Sequence, residues 1–279
     1  HSVREPVSFV GLSATLSNAT RHFSGLTGVD ENGVESVEPG SEELEYEGAE
    51  YLVAIRSDPT SGASVLSTTI QTAMLMPRTQ DSPTTGVSEG LYGTKVFAFT
   101  DDLDVTNRLF SYVLDAEGQK YIRNQARQIK APLASMRLPA GRDLSARRRA
   151  GQSWDLPLAL GHSLQPAGLR VSRTTSQDAG VDVSSQLIVA TASLEVGFDD
   201  PEVGAVLQHK SPRSVAPFLQ RKGRAGRSRA MRPYTLVVLS DYGRDRATYE
   251  AWDTLFDPVL PELVLPIRNR AVLRMQAAL

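Results

Sequence analysis

Apolar positions along the chain fall into short unbroken runs separated by longer stretches with a helical spacing. The runs at 51–55 (YLVAI), 96–99 (VFAF), 187–190 (LIVA), 205–208 (AVLQ) and 235–239 (TLVVL) are brief and mostly β-branched or aromatic. That pattern predicts strands covered on both faces. Residues 7–12 (VSFVGL) predict another buried parallel strand, and the stretch leading into Thr174-Thr175-Ser176 offers one more. Helical spacing appears at Val65, Leu66, Ile70, Ala73 and Met74, ending at Pro77. It recurs over 102–126 at Leu103, Leu109, Phe110, Val113 and Leu114, with Thr100 or Asp101 near the N-cap. Further helices are expected at 214–222, 244–256 and 267–278, a loop over 27–48 and a turn-rich linker over 80–93. Strands alternating with helices predict an α/β fold, a doubly wound, mostly parallel sheet flanked by helices.

Composition narrows the class. The 279 residues are 41% hydrophobic, enough to build a real core, and contain no cysteine, which excludes disulfides and thiolate zinc sites. The four histidines (His1, His22, His162, His209) are too scattered to suggest a metal site. No apolar run approaches a membrane span and no signal peptide opens the chain, so a cytoplasmic protein without membrane contact is expected. His1-Ser2 reads as a cloning remnant. The net charge of −2 is silent about nucleic acid, but its distribution is not: residues 30–50 are acidic without one lysine or arginine, whereas 142–149 and 221–232 are basic.

The chemistry concentrates in residues 220–227, QRKGRAGR, which follow 187–199, LIVATASLEVGFD. Two guanidinium groups three positions apart, set among glycines ahead of a strand, suit the clamping of a transferring phosphoryl group, because arginine is planar, always charged and bidentate toward phosphate oxygens. Upstream lie Ser13-Ala14-Thr15 and residues 95–100, KVFAFT. In this order the four segments resemble motifs VI, V, III and IV of the superfamily 2 helicases.

The resemblance implies a RecA-like sheet with an irregular insertion and a C-terminal helical extension. The phosphate loop and the acidic motif of that family lie upstream of motif III, on a first lobe, and neither occurs in this sequence. The chain is therefore expected to be the second half of a motor, inactive alone. Residues 1–20 would end the first lobe, 21–94 would be a linker or insertion, 95–240 the second lobe, and 241–279 the extension. ATP and Mg2+ would be held mostly by the first lobe of the same protein. By resemblance Arg227 and Arg224 are arginine fingers, and Gln220 contacts the triphosphate or the attacking water. Gly223 and Gly226 would turn the backbone so as to aim them. Gly197 and Asp199 would lie near the nucleotide, and Ser13 and Thr15 would couple to the acidic motif. Thr191 would meet a nucleic-acid phosphate, with Thr175 as a weaker candidate. Thr100 is balanced between a phosphate contact and an N-cap.

Other polar groups have plainer readings. Arg147 and Arg148, within 142–149, either track a nucleic-acid backbone or decorate a solvated face. Trp154, among Leu156, Leu158 and Leu160, reads as core rather than a base-stacking platform. Asp199-Asp200 ahead of Pro201 reads as a turn rather than a metal site. Asp101, Asp102 and Asp104 read as acids favouring a helix N-terminus. Arg221 and Lys222 fall outside the pattern's fixed positions and read equally well as surface charges. The segment before residue 187 lacks the family's regular strand and helix. The nearest branch looks like the large helicases of bacterial defence and DNA-modification clusters, including Lhr-like ones, which favours DNA over RNA. Two other classes stay open: a non-catalytic RecA-like module that binds nucleic acid or regulates, and a protein-interaction scaffold.

Overall fold

A computed structural model describes residues 7–13, 18–43, 48–60, 62–82, 86–122, 125–141, 143–176, 180–191, 194, 198–256 and 270–277. In chain order the elements are α1 (Ala19–Thr27), β1 (Tyr51–Arg56), α2 (Val65–Leu75), β2 (Lys95–Phe99), α3 (Leu103–Ala116), β3 (Gln119–Ile122), β4 (Gln125–Gln128), α4 (Leu144–Arg149), α5 (Leu156–Ala159), β5 (Val171–Thr174), β6 (Leu187–Ala190), β7 (Val203–His209), α6 (Val215–Lys222), β8 (Tyr234–Leu239), α7 (Gly243–Glu250), α8 (Trp252–Phe256) and α9 (Arg270–Ala277). They divide into two units, His1–Glu45 with Pro258–Leu279, and Tyr46–Asp257.

The first unit holds α1 and α9. Residues 7–13, expected to contain a buried strand, are irregular, with Val10 87% and Leu12 96% exposed. A buried strand needs hydrogen-bonded neighbours, and no described residue of this unit forms a strand.

The second unit is built on six parallel strands in the order β1-β8-β7-β2-β6-β5. From β1 through β2 to β5 the chain crosses the sheet one way; from β6 through β7 to β8 it returns. Right-handed crossovers then place the helices of the two journeys on opposite faces. Accordingly Leu109 and Val113 of α3 and Ala73 of α2 pack on Val96, Ala98, Leu187 and Leu207. Phe218 of α6, Tyr249 of α7 and Phe256 of α8 pack on Val237 and Leu239 from the other side. Every residue of β2, β6 and β7 is buried, which is why those runs are unbroken rather than alternating. This is the doubly wound RecA-like arrangement. β1 and α2 lie inside the stretch read as linker, yet both are integral to the sheet and its cover.

The helix expected over 102–126 stops ten residues early. Asp102 caps α3, accepting from the N–H groups of Asp104 and Val105. The chain then turns at Gly118, whose φ of +71° and close approach to Lys130 O leave no space for a Cβ. Beyond it β3 and β4 form an antiparallel hairpin that periodicity alone had merged with the helix. The helix expected over 244–256 is likewise two, α7 and α8.

Two buried polar groups fix the frame. Arg78, just beyond α2, donates all five N–H groups: to Glu117 Oε1 and Oε2 (both 2.8 Å) and to the carbonyls of Met74, Gln165 and Ala167. Glu117 also accepts from Leu169 N–H, so one ion pair ties the ends of α2 and α3 to the approach to β5. His209, ending β7, meets Thr69 Oγ1 at 2.7 Å, and burial drives its pKa down to about 4.

Breaking one side of the Arg78–Glu117 pair leaves a buried charge alone, so Arg78→Met should cost about 3–5 kcal/mol in urea unfolding, and pairing it with Glu117→Leu should recover much of that. The unfolded chain protonates His209 near pH 6.5, well above the folded value. Stability should therefore be complete above about pH 6.5 and fall by about 3 kcal/mol as pH drops toward 4, with His209→Gln flattening that slope.

Candidate phosphate-contact sites at two edges of the sheet

α6 starts at the carboxyl ends of the strands and descends to their amino ends. Its last residues are Arg221 and Lys222, and Gly223 closes it, donating to Leu219 O at 2.9 Å. The turn that follows carries Arg224 and Arg227. Arg224 is half-buried and donates through Nη1 to Phe198 O; Phe198 in turn packs on Phe97, 6.0 Å between ring centres. Burial first, and the neighbouring Arg227 second, hold the Arg224 pKa below the ordinary guanidinium value. Arg227 is exposed, its Nε 3.3 Å from Asp199 Oδ1. Arg224, Arg227 and Asp199 therefore converge.

Gly226 aims this turn. Its φ is +77°, its N–H donates to Val203 O, and a Cβ would lie 2.6 Å from Pro233 Cγ. Gly223 does not share that role: its φ of −66° is open to any residue. A hollow of about 540 Å3 adjoins the turn, lined by Gly226, Arg227, Arg229, Lys222, Glu50 and Met231 among others. Lys222 is neutralised there by Glu50 at 2.8 Å. Gln220 is half-buried in the last turn of α6. Gly197 and Thr15 lie outside the described residues, and Ser13 is exposed in the other unit.

The opposite, carboxyl edge holds a second concavity of about 420 Å3. Thr191, just past β6, lines it with Ser176, Arg213, Ser214 and Asp101. Three hydroxyls and a guanidinium at the start of α6 can donate to an anion, and the helix dipole adds to them. The Ser214 hydroxyl makes no cap to its own helix. Ser176 belongs to the hydroxyl cluster 174–176 that the sequence offered for a phosphate, whereas Arg213 and Ser214 escaped the sequence reading; Ser214 ahead of an apolar helix was the available signal, since it sits where an N-cap belongs.

Other expected contacts are committed elsewhere. Thr100 is 0% exposed, bonded to Thr106 Oγ1 (2.6 Å) and Asp102 O (2.9 Å), so it serves the start of α3 and cannot reach a phosphate. Thr175 is buried, and its neighbour Ser176 faces the cleft instead. Arg147 donates to Ala140 O and Met136 O, and Arg148 is bidentate to Asp155. Nearby Trp154 is core, packed with Leu164 and with Ala116 at the far end of α3, so this basic segment sits toward the amino edge, away from Thr191. Asp200 accepts from Glu202 N–H, a turn as expected, and pairs with Lys95 at 2.7 Å.

Arg221, read as an indifferent surface charge, is 4% exposed. Its Nη1 reaches Asp101 Oδ1 and Gln208 Oε1 (2.8 Å), and its guanidinium lies over the Phe99 ring. Helical side chains lean toward the N-terminus of their helix, which carries this one back up to the carboxyl edge. Asp101 also accepts from Arg213 N–H, so Arg221 shapes the cleft floor.

Residues 171–229 match the profile of the family described as helicase conserved C-terminal domain. A 57-residue stretch is 39% identical to an ATP-dependent DNA helicase Q1 of Caenorhabditis briggsae, covering 20% of this chain and 9% of that protein. Among solved structures, Saccharomyces cerevisiae Dbp5 bound to RNA and ADP BeF3 is similar over 88% of this chain and 48% of its own, at 12% identity and a TM-score of 0.46. The DUF1998 helicase MrfA bound to DNA and AMPPNP is similar over 94% of this chain and 29% of its own, at 15% identity and a TM-score of 0.47. The chain thus spans less than half the length of each of these proteins.

Gly226→Ala should cost more than about 1 kcal/mol in thermal unfolding, from the left-handed backbone and the Pro233 clash, whereas Gly223→Ala should fall within about 0.5 kcal/mol of the parent.

Proposed function

We propose that this chain is the second RecA-like lobe of a superfamily 2 helicase and works as a motor lobe of an ATP-dependent helicase or translocase, a reading supported by the match of residues 171–229 to the helicase conserved C-terminal domain and by the 57-residue likeness to a DNA helicase. The observation that carries the reading is the convergence of Arg224, Arg227 and Asp199 on the turn shaped by Gly226, inside the matched segment. A guanidinium held by a backbone carbonyl, beside a second one open to solvent, suits a triphosphate presented from outside.

ATP with Mg2+ supplies the phosphoryl group when bound, held mainly by a first lobe of the same protein. This chain's part is electrostatic. Arg227 would leave Asp199 and meet charge building on the γ-phosphoryl oxygens, while Arg224, fixed by Phe198 O, would hold the turn in register and face the same group. Gln220 would contact the triphosphate or the attacking water. Gly197 and Asp199 would report nucleotide state, and Ser13 and Thr15 would couple to the acidic motif of the first lobe. At the carboxyl edge Thr191, joined by Ser176, Arg213 and Ser214, would hold a nucleic-acid backbone without reading its sequence. The strand is proposed to be DNA, in keeping with the resemblance to a protein described as a DNA helicase. A cytoplasmic setting belongs to the same proposal.

In the full-length protein, single-strand-stimulated ATP hydrolysis should fall by about 10³-fold or more in Arg227→Ala, with nucleotide affinity largely kept. Unchanged turnover would remove the arginine-finger assignment, and no turnover in either protein would favour a non-catalytic binding module.

A further inference from the structure

We infer that the outer face of the β3–β4 hairpin carries a nucleic-acid strand past the β5 edge of the sheet, with Lys120 and Arg127 as its phosphate contacts. The inference rests on the reading of the carboxyl-edge cleft as a nucleic-acid site and extends it.

The hairpin's direction follows from what its inner face touches. At its base Gln119 donates to Leu169 O (2.7 Å), two residues before β5 begins, and Gln128 donates to Glu117 O (2.7 Å). Further along, Tyr121 meets Phe110 of α3 edge-on, 5.8 Å between ring centres, and Arg173 of β5 lies over the same ring. α3 descends from the carboxyl edge and Phe110 is midway along it, so the hairpin climbs beside β5 toward that edge. Its Ile122–Gln125 end is the end nearest Ser176 and Thr191.

Side chains alternate across a strand, so Lys120, Ile122, Gln125 and Arg127 face away from the body, and all four are exposed. Lys120 and Arg127 are register partners, directly opposite one another. Like charges so placed repel and destabilise the pair. Neither side chain makes an ion pair or hydrogen bond with any described residue, although nearby Lys130 is paired with Asp115 at 2.9 Å. Two cations held side by side without a counter-charge fit an external polyanion. A nucleic-acid strand is favoured over an acidic polypeptide because the cleft of Thr191, Ser176 and Arg213 lies at the edge toward which the hairpin climbs.

The test uses the full-length protein, a short oligothymidylate that fills the cleft alone, and one about three times longer. In Lys120→Gln/Arg127→Gln the long probe should lose affinity on the order of tenfold. Its slope of log Kd against log salt should shrink by about 1.4, from about 0.7 per lost phosphate contact on a single strand. The short probe should bind as before. This chain contributes no cysteine, so in a full-length background with any other cysteine replaced Gln125→Cys can carry one fluorophore, whose emission should respond to the long probe alone. Equal binding of the long probe by parent and double variant overturns the inference and leaves an acidic protein as the hairpin's partner; so does equal weakening of both probes, or a fluorophore blind to the long one. If Arg213→Ala weakens both lengths while the hairpin variant weakens neither, the cleft stands and the inference falls. Binding of neither probe by the parent removes the cleft reading, and the inference with it.

Discussion

One guanidinium joins the two working edges of this sheet. Arg221 rises from the last turn of α6, is buried against Phe99, and closes on Asp101 beyond β2 and Gln208 in β7. An arginine taken out of water is tolerable only with its charge matched and its donors used. Asp101 supplies the charge and also receives Arg213 N–H at the cleft. Two residues further on, the chain leaves the helix for the turn that bears Arg224 and Arg227. Displacing α6 along its axis would therefore move the arginine turn and the cleft floor together.

In the proposed motor, that linkage would give a physical form to coupling between nucleotide and strand. Open α/β sheets usually bind ligands at the carboxyl ends of their strands, and the cleft around Thr191 lies at that edge. The arginine cluster lies at the opposite edge, beside the start of β7, where Gly226 N–H meets Val203 O. One helix spans both positions, so a force that the proposed partner lobe applied to the arginines would have a short, rigid route to the cleft. No chain of distant side chains is required.

The polar residues of the interior divide into those that hold the frame and those left for ligands. Arg78, Glu117 and Lys95 are consumed by internal pairs. Arg147 and Arg148, conspicuous as a basic run, are spent on carbonyls and on Asp155. Like the exposed Arg148, Arg227 keeps much of its surface in solvent despite an acidic partner, and the Lys120 and Arg127 side chains have no counter-charge among the described residues.

The sequence by itself determined the strands of the sheet, where the main helices between them begin, and the arginine–glycine turn. Strands covered on both faces must be unbroken apolar runs, and a tight arginine-bearing turn must recruit glycine; both constraints act locally and leave local marks. It also determined that Trp154 is core and that Asp200 sits in a turn. Only the tertiary structure decided which glycine matters, because the clash at Gly226 is with Pro233, whereas Gly223 caps α6 in a backbone conformation open to any residue. Only it separated the hairpin from α3, since the demand on Gly118 comes from Lys130 O, twelve residues away. The burial of Thr100 and Arg221 and the grouping of Thr191 with Ser176 and Arg213 were likewise decided there. Each depends on partners distant in sequence, where one residue's type carries no record of what will stand beside it.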